Sequence, residues 1–394
     1  MSLVPLAEVA SIDSGAGFPL EFQGKRDEHF PFLKVSDMNL PGNERRINSW
    51  NNSVSDEVRS RLRAKGFPTG ALIFPKIGAA IATNKKRQLT RPSCVDNNVM
   101  AVVPDETRLD PDYLYFAFLA KDISDFASAS NPPSIRKSEV EQWQLRVPAL
   151  TAQRQIVDVL SRAESIVRLR RAAKRKAAEL MPAIFLNMFG DPATNPKRWP
   201  VHPLSQLVEF VSGGTPSKQR EEFWQGHLPW VSPKDMKRLS IDDAIDHVNE
   251  AVLSATSLKL VEAGAVLIVV RGMILAHTVP VAEARVPLTI NQDMKALVPR
   301  REVSSTYLLW SLLVSQRHLL SQVTTAAHGT KKLDTSRLGE MLVPVPPMEA
   351  QDEFEQRVRR VQQIEERQAR ALELAEHTFS GSLASAFGQP GAAP

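Results

Sequence analysis

The stretch Val147-Pro148-Ala149-Leu150-Thr151-Ala152-Gln153 returns 198 positions later as Val345-Pro346-Pro347-Met348-Glu349-Ala350-Gln351, and this recurrence decides the organisation of the chain. In each copy, proline closes a segment of mixed character, and a long stretch with helical spacing follows. Self-similarity at a fixed offset indicates a duplicated architecture. We therefore predict that the chain consists of two copies of one module.

The recurrence extends over nearly the whole chain. Near the start it links Pro5-Leu6, Ser14-Gly15 and Asp37-Met38 to Pro203-Leu204, Ser212-Gly213 and Asp235-Met236, again 198 positions later. In the middle of the module the offset falls to 194, which matches Gly70, Gly78, Asn97 and Tyr113 to Gly264, Gly272, Asn291 and Tyr307. It returns to 198 where Phe189-Gly190 matches Phe387-Gly388. Such a conserved order of glycines, prolines and apolar residues indicates duplication rather than chance.

Each module begins with a segment that predicts short strands and one helix. Apolar runs bounded by glycine, proline and asparagine are typical of strands, and they lie at Phe32–Val35, Ala71–Phe74, Val99–Val103, Val266–Val270 and Ala296–Val298. Helices are predicted at Tyr113–Ala120 and Tyr307–Ser315. The expected fold class is α+β, with two mixed α/β domains separated by two long helices and related by a pseudo-two-fold internal repeat.

The two long helices are predicted to pack on each other as an antiparallel coiled coil. Apolar residues recur at three- and four-residue steps, and the residues expected in the packing seam are Ile156, Ala163, Ile166, Phe354, Val361 and Ile364. Residues 151–190 carry eight Lys/Arg and three Asp/Glu, or +5, whereas residues 349–388 carry five and eight, or −3. The opposite charges favour pairing of the two helices.

The first helix contains a basic run from Arg168 to Lys176. This run is better explained by a solvated helix face or by pairing with the acidic partner helix. Contact with a polyanion or with a partner subunit is less favoured but remains open. Arg170 and Gln368 occupy equivalent seam positions, where a partly exposed gap is favoured over a polar contact that sets the register. The predicted boundaries are 1–150 and 201–348 for the globular domains, 151–190 and 349–388 for the helices, 191–200 for a junction and 389–394 for a tail.

Composition limits the possible functions. The net charge of +5 and the pI near 9.3 suit a polyanionic partner, although this signal alone is weak. The single cysteine, Cys94, excludes an internal disulfide, and the eight histidines lack the spacing of a zinc site, so we expect no metal. Apolar runs are too short to span a membrane. The N-terminal residues do not resemble a secretory signal, and we expect a cytoplasmic protein.

The sequence offers no catalytic constellation. Asn131-Pro132-Pro133-Ser134 resembles the Asn-Pro-Pro-aromatic motif of amino-group DNA methyltransferases, but serine replaces the ring that stacks on a flipped base. A proline-stiffened loop is the better interpretation, and the equivalent stretch of the second module is Ala327–Thr330. Phosphate-cradling and nucleophile-elbow motifs do not occur. We expect no catalytic residue in this chain.

Several motifs resemble the DNA specificity subunit of type I restriction–modification systems. The most specific is Phe189-Gly190-Asp191-Pro192, followed by Asn195-Pro196-Lys197 and Trp199-Pro200. Supporting motifs are Ser212-Gly213-Gly214-Thr215-Pro216, Arg271-Gly272, Asn291-Gln292 and Val345-Pro346-Pro347. The first module departs from this pattern, with Asn97-Asn98 in place of the Asn-Gln pair. The resemblance nevertheless covers essentially the whole chain.

The resemblance implies a recognition subunit that is not itself an enzyme. Two target recognition domains would each read one half of a bipartite double-stranded DNA site, and the helices would set the spacing and dock two methyltransferase (modification) subunits. Restriction subunits that translocate DNA would complete the complex. S-adenosylmethionine, ATP and Mg²⁺ are expected in these partner subunits, with no cofactor and no membrane contact in this chain.

Polar and basic side chains in the loops of each domain are the candidates for contact with DNA, because phosphate contacts position a protein and base-edge contacts specify a sequence. In the first domain they are Lys34, Lys76, Asn84, Lys85, Lys86, Arg87, Arg136 and Lys137. In the second they are Thr215, Ser217, Lys218, Lys234, Arg271, His277, Lys331 and Lys332. Among these, the cluster Asn84–Arg87 has the strongest claim to more than ordinary surface.

Three other functions remain open. The chain could serve a related type II-like methyltransferase or nuclease assembly, or it could be a self-contained DNA methyltransferase, for which the methyl-donor motif is missing. It could also be a duplicated scaffold that binds only protein. Methyl transfer by the isolated chain, and the effect on DNA binding of replacing Asn84–Arg87 with alanine, distinguish these functions.

Overall fold

The computed structural model describes residues 3–326 and 329–388. The predicted tail at 389–394, and Ala327 and His328 of the stretch Ala327–Thr330, lie outside these residues. Contacts divide the chain into two compact units. The first unit comprises the described residues within Met1–Arg171 and Arg370–Pro394, and the second those within Ala172–Ala369. Each unit therefore contains one globular domain and a segment of each long helix.

Domain 1, the globular part of the first unit, is built from short strands and three helices. The strands are β1 (Leu3–Pro5), β2 (Ala10–Ser14), β3 (Phe30–Leu33), β4 (Arg46–Ile47), β5 (Ser53–Val54), β6 (Leu72–Pro75), β7 (Arg87–Leu89), β8 (Cys94–Val95), β9 (Val99–Pro104) and β10 (Gln144–Arg146). The helices are α1 (Asp56–Arg61), α2 (Pro111–Leu119) and α3 (Lys137–Glu141). Asp110 begins α2 by accepting from the backbone N–H of Asp112 and Tyr113, as expected of an N-cap.

These strands form mixed sheets. The main sheet has the order β2-β9-β6-β7-β4, in which β4 and β7 are parallel and the other neighbours antiparallel. A smaller sheet has the order β5-β3-β8, and β1 pairs with β10. The α+β class predicted from the sequence is therefore confirmed.

The first long helix, α4, spans Leu150–Phe189 and continues through Pro182. The junction that follows is compact. Gly190 has φ +81°, and a Cβ there would lie 2.5 Å from Cγ of Pro196, so both the backbone and the space require glycine. Asn195 fixes the turn by donating to the carbonyl of Trp199 at 2.8 Å and accepting from its N–H at 3.0 Å.

Domain 2, the globular part of the second unit, repeats this plan. Its strands are β11 (Val201–Pro203), β12 (Val208–Ser212), β13 (Leu228–Val231), β14 (Ser240–Ile241), β15 (Asp246–Val248), β16 (Val266–Val269), β17 (Val281–Ala284), β18 (Thr289–Ile290), β19 (Met294–Pro299), β20 (Val323–Thr325), β21 (Lys331–Leu333) and β22 (Leu342–Pro344). Its helices are α5 (Leu204–Leu207), α6 (Val252–Ala255), α7 (Ser305–Val314), α8 (Gln316–Ser321) and α9 (Thr335–Glu340), and the second long helix α10 spans Met348–Phe387. The main sheet has the order β12-β19-β16-β17-β14, which corresponds strand for strand to that of domain 1.

Each long helix is fixed to its own domain by a buried glutamine. The amide of Gln153 donates to the carbonyls of Arg108 and Pro148 and accepts from the N–H of Asp110, each at 2.8 Å. Gln351, 198 positions later, accepts from the N–H of Ser304 at 2.8 Å and donates to two carbonyls, those of Glu302 and Pro346. Both side chains are fully buried. The duplication thus preserves a hydrogen-bond network as well as a sequence pattern.

Within each unit, segments of α4 and α10 pack on the domain and on each other. In the first unit, Phe379 and Phe387 pack on Phe116 and Tyr113, and Arg171 forms an ion pair with Glu376 at 2.6 Å. In the second unit, Phe354 of α10 lies 5.5 Å from Phe185 of α4, ring centre to ring centre. The pairing of Arg171 agrees with one explanation of the basic run. Coiled-coil geometry itself stays a prediction.

The residues of the predicted packing seam differ in their burial. Phe354 and Val361 are buried, and Ile156 packs against the core of the first unit. Ala163 is partly buried. Ile166 and Ile364 are 50% and 44% exposed, so their expected burial is wrong. The physical reason is that α4 buries the face of Gln153 and Leu160 against domain 1, and Ile166 lies well to one side of that face at about 100° per residue.

Candidate nucleic-acid interface

One edge of domain 2 collects the carboxyl ends of four strands. Both β12 and β16 run antiparallel to β19, so they end where β19 begins, at Met294. The parallel strands β13 and β18 end at the same edge, where the N–H of Asn291 donates to the carbonyl of Val231 at 2.9 Å. We call this the strand-end edge of domain 2. Loops at such an edge present their side chains outward from a rigid sheet.

The candidate residues of domain 2 adjoin this edge. Thr215, Ser217 and Lys218 follow β12, Lys234 follows β13, and Arg271 and His277 follow β16. Lys331 and Lys332 lie on β21, and Lys332 is the bridge partner of Arg271. Residues separated by more than a hundred positions in the sequence are thus collected on one surface by the fold.

The Ser212–Thr215 loop lies against the segment that follows β18. A Cβ on Gly213 would lie 2.0 Å from the carbonyl oxygen of Asn291, so only glycine allows this approach. In domain 1, the equivalent Gly15 approaches the carbonyl of Val95 equally closely. The hydroxyl of Thr215 donates to the side-chain oxygen of Gln292. Polar groups from two segments are therefore held side by side at the edge.

Cations at this edge differ in their availability. Arg271 is exposed and faces the partly buried Lys332, whose ammonium lies 3.1 Å from Asp334. Lys234 forms an ion pair with Asp246 at 2.7 Å, and this hydrogen bond raises the pKa of Lys234. Arg271 is therefore the more available cation of this pair, because Asp334 offsets the charge of Lys332.

Domain 1 has an equivalent strand-end edge, formed where β2, β3, β6 and β8 end and β9 begins. The ammonium of Lys76 donates to the hydroxyl of Ser14 at 2.8 Å. The loop that leads to Arg136 and to Lys137 at the start of α3 is held beside it, because Ile77 pairs with Ser134 and the N–H of Gly78 donates to the carbonyl of Pro133 at 2.8 Å. The Asn131–Ser134 stretch thus has a framework role, as its prolines suggested.

Asp13 connects the cations at this edge. Lys137 lies 3.3 Å from its carboxylate, which also forms an ion pair with Lys65. The hydrogen bond from Lys65 lowers the pKa of Asp13, and that from Lys137 lowers it further. Lys34 donates to the side-chain oxygen of Gln23 at 3.1 Å, at the end of β3. The edge of domain 1 therefore carries a polar network in which Lys34, Lys76 and Lys137 each have a protein partner.

The cluster Asn84–Arg87 has a different place from the one expected. Lys86 is only 2% exposed, and its ammonium donates to the carbonyl of Lys121 at 2.8 Å. Arg87 is partly buried and donates to the carbonyl of Met38 at 3.0 Å. The prediction that Lys86 and Arg87 are surface cations is therefore wrong. Their charged groups instead bind backbone carbonyls inside the domain. Asn84 adopts φ +51° and accepts from the N–H of Ile123 at 3.0 Å, while Lys85 reaches Asn39.

Burial also changes the ionisation of Lys86. The cost of holding a cation away from water lowers the pKa of Lys86 to about 8, and the nearby Asp122 opposes this only partly. Burial likewise lowers the pKa of Arg87. These two residues stabilise the turn that leads into β7, which adjoins the end of β6 at the strand-end edge. Lys86 and Arg87 therefore support the strand-end edge of domain 1 through contacts in the domain interior.

Some polar residues of the edges were not among the sequence candidates. Lys295 donates to the hydroxyl of Ser212 at 2.6 Å, and Ser212 is the repeat counterpart of Ser14. Asp13, Lys65 and Gln292 also belong to these networks. The recurrence of Ser14 as Ser212 was a usable signal. Lys295 was not detectable from this recurrence, because it reaches Ser212 from β19, whereas the candidate Lys76 reaches Ser14 from the end of β6.

Neither a metal site nor a membrane span is visible in the part of the chain that the structure describes. Across residues 3–326 and 329–388, no three histidine, cysteine, aspartate or glutamate side chains group closely enough to hold a metal ion. Over the same residues, no helix has both the length and the apolar character needed to cross a bilayer.

Comparison with known proteins agrees with the duplication. A family model described as the type I restriction modification DNA specificity domain matches the chain twice, over residues 1–179 and 196–374. Each match contains one globular domain and most of the long helix that follows it. The two matches together cover most of the sequence.

Curated relatives are similar over a shorter span. The specificity subunit of the type I restriction enzyme EcoR124I/EcoR124II from Escherichia coli is 35% identical over 149 residues, which are 38% of this chain and 37% of that protein. The MjaIX specificity subunit from Methanocaldococcus jannaschii is 28% identical over 162 residues, 40% of this chain and 37% of the relative. The alignments thus span less than two fifths of the relatives' own length.

Solved structures show the same fold. The S subunit of a type I restriction–modification system from M. genitalium superposes with a TM-score of 0.54 at 15% identity, covering 98% of this chain and 96% of the other. A chain from a study of complex assembly and conformational transition of the type I R-M system gives a TM-score of 0.61 at 18% identity, covering 98% and 97%. The fold, the duplication and the two family matches together show that this chain belongs to the type I restriction modification DNA specificity family.

Proposed function

We propose that this chain is the sequence-specific DNA-recognition subunit of a type I restriction–modification complex, in which each globular domain reads one half of a bipartite target. The observation that carries the proposal is the convergence of polar and basic side chains on the strand-end edge of both domains. Family membership favours DNA as the partner, and the duplication favours two half-sites. Divergent loops on a matched framework suit half-sites of different sequence.

The two edges differ in the groups that they offer to DNA. Domain 2 presents Arg271 and Lys332 together with the neutral polar groups of Thr215 and Gln292. Arginine and lysine neutralise phosphates, whereas amide and hydroxyl groups hydrogen-bond to base edges. Domain 1 presents Lys76 and Lys137 near Ser14 and Asp13. A specific reader needs both kinds of group, and both edges supply them.

The long helices carry exposed apolar side chains that suit protein partners. The first unit exposes Val159, Ile166, Leu169 and Leu374 by 59%, 50%, 65% and 68%. The second exposes Leu180, Leu186 and Ile364 by 43%, 41% and 44%. Large apolar side chains grouped at a surface mark interaction sites. We propose that two methyltransferase subunits dock on these residues, one for each unit, and that the helices set the spacing of the half-sites.

Catalysis belongs to the partners in this proposal. Methyltransferase subunits would bind S-adenosylmethionine, and restriction subunits that translocate DNA would use ATP and Mg²⁺. The chain would act in the cytoplasm, where the DNA is. Its own task is to choose where these activities occur.

Reconstitution tests the proposal. Purified chain with DNA and labelled S-adenosylmethionine should transfer no methyl group, whereas the chain with its methyltransferase subunits should methylate one bipartite sequence. Methyl transfer by the chain alone would instead support a self-contained methyltransferase. A complex that assembles but shows no preference among DNA sequences would support the protein-binding scaffold.

A related type II-like assembly is distinguished by its subunits. Such an assembly would cut DNA without a translocating restriction subunit and without ATP hydrolysis. Adding Mg²⁺ and DNA to the chain and its methyltransferase partners should leave the DNA intact under our proposal. Cleavage in that mixture would favour the type II-like assembly.

A further inference from the structure

Two large apolar side chains are exposed at the strand-end edge of domain 2. Met273 is 64% exposed and Ile274 is 43% exposed, and both lie in the short 3-10 turn Met273–Ala276 that follows β16. They follow Gly272 and Arg271, and Arg271 is the bridge partner of Lys332. Leaving apolar surface in water is unfavourable, so the exposure of Met273 and Ile274 indicates a partner with an apolar group. The neighbouring Arg271 and Lys332 indicate that the same partner carries negative charge.

The turn is held rigidly. Gly272 has φ +132°, a backbone conformation that residues with a side chain rarely adopt, and its N–H donates to the carbonyl of Lys331 at 3.0 Å. Leu275 is buried and its N–H donates to the carbonyl of Gly272. Leu275 therefore anchors the turn in the core, while Met273 and Ile274 remain at the surface.

The first module provides an internal comparison. The equivalent turn begins at Gly78, with φ +71°, and Ile81 is buried where domain 2 has Leu275. The N–H of Gly78 donates to the carbonyl of Pro133, as that of Gly272 does to Lys331. The positions of Met273 and Ile274, however, are Ala79 and Ala80. The framework of the turn is the same, and only the exposed side chains differ.

We infer that Met273 and Ile274 read thymine in the half-site of domain 2 by packing against its C5-methyl group. This inference rests on the proposed DNA-recognition function and names one of its specificity determinants. The thymine methyl is the only apolar group that a base pair displays in the major groove. Arg271 and Lys332, which lie next to each other beside this turn, would bind a neighbouring phosphate. Domain 1 has the smaller Ala79 and Ala80 at these positions and offers less apolar surface for such a contact.

The test replaces thymine with deoxyuridine, which pairs identically but lacks the methyl group. The probe is a duplex containing the bipartite target, first identified by mapping methylated adenines, and the sample is the chain assembled with its methyltransferase subunits. Substituting each thymine of the domain 2 half-site in turn should weaken binding about fourfold at one position or more, the loss expected for one methyl group. The Met273→Ala/Ile274→Ala variant has less apolar surface at this place and should show a smaller difference between the thymine and deoxyuridine duplexes than wild type.

Two controls locate the effect. Leu342→Ala removes an apolar side chain that is 58% exposed on β22, which pairs with β11 outside the main sheet, and it should keep the sensitivity to deoxyuridine. Deoxyuridine in the domain 1 half-site should affect wild type and the double variant alike. Wild-type binding that does not change when any thymine of the domain 2 half-site is replaced by deoxyuridine would overturn the inference. This holds even if the double variant binds weakly, because Met273 and Ile274 would then act in another way, such as insertion between bases. Failure of the wild-type complex to prefer its target at all would instead count against the proposed function.

Discussion

Nη1 of Arg45 donates to Oε2 of Glu164 at 2.6 Å, and this bond joins domain 1 to helix α4 within the first unit. The same guanidinium donates through Nη2 to Asp112 at 2.6 Å. Burial acts to lower the pKa of Arg45, but the two carboxylates outweigh it and raise the pKa. At the equivalent position, 194 residues later, domain 2 has Leu239. Each domain is thus attached to its long helix by an equivalent glutamine, Gln153 or Gln351, but the ion pairs of Arg45 occur in domain 1 and have no counterpart at Leu239.

Replacing Arg45 should destabilise the first unit. Arg45→Leu leaves Glu164, whose side chain is 23% exposed, without this guanidinium, and leaves Asp112, 29% exposed, with only the longer contact to Arg46. We expect the free energy of unfolding to fall by about 3 kcal/mol, as for other partly buried ion pairs that lose one member. Urea unfolding followed by circular dichroism measures the change. Arg46→Leu is the matched control, because Arg46 is 56% exposed and lies 3.4 Å from Asp112, and its loss should cost less than about 1 kcal/mol. Equal losses for both variants would contradict the assigned role of Arg45.

Replacing either buried glutamine should separate a long helix from its domain. Gln351→Leu would leave the N–H of Ser304 without its partner in the protein interior, at a cost of about 2 kcal/mol. Gln153→Leu should cost a similar amount, because its contacts are the same. Hydrogen exchange at the start of each long helix provides the measurement. Gln356→Leu serves as the control, because Gln356 is exposed on the same helix. If Gln356→Leu destabilised the protein as much as Gln351→Leu, that result would argue against the anchoring role of Gln351.

Lys86 should make the stability of the first unit depend on pH. The folded-state pKa of Lys86 is lowered from 10.5 to about 8, so between these values the unfolded chain binds more protons than the folded one. Stability should therefore rise as pH increases from about 8 to about 10.5, by about 3 kcal/mol. Urea unfolding across this range should show the rise in wild type but not in Lys86→Met. An identical pH profile for the two proteins would show that Lys86 is not desolvated in the folded state.

Two cations at the edge of domain 2 should contribute to DNA binding through phosphates. Arg271→Ala/Lys332→Ala should weaken binding of the assembled complex and make the slope of log K against log salt shallower by about 1 for each lost phosphate contact. Arg301→Ala is the matched control, since Arg301 is exposed just beyond the opposite end of β19. Fluorescence anisotropy at several salt concentrations gives both quantities. If the double variant kept the wild-type slope, these residues would not face the DNA backbone.

The exposed apolar residues of α4 should be needed for assembly. Ile166→Asp/Leu169→Asp places charge where we propose that a methyltransferase subunit docks, and it should lower the affinity of that subunit by at least about tenfold, because a charge is then buried in the interface. Analytical ultracentrifugation of the mixed subunits measures the loss. Leu20→Asp, at an 84% exposed site in domain 1, is the control and should assemble normally. Normal assembly of the helix variant would place the docking surface elsewhere.

The sequence predicted the elements well and the positions of individual side chains less well. The duplication and the α+β class followed from residues such as Gly78 and Gly272, whose backbone conformations are demanding and therefore leave a local signal. Lys86 was mispredicted because its burial depends on a carbonyl at Lys121, 35 residues away, which no local pattern reveals. Ile166 and Ile364 fit a heptad, but the globular domains cover a different face of each helix. The strand-end edges could not be predicted, because strand order brings their residues together.

The central claim, that each domain reads its own half of the target, is tested most directly by exchanging one domain. Residues 1–150 would be replaced by the corresponding domain of a relative with a different specificity, and methylated adenines would be mapped in cells that make the complete system. The account predicts that one half of the recognised sequence changes while the other half stays the same. A change in both halves, or in neither, would contradict it.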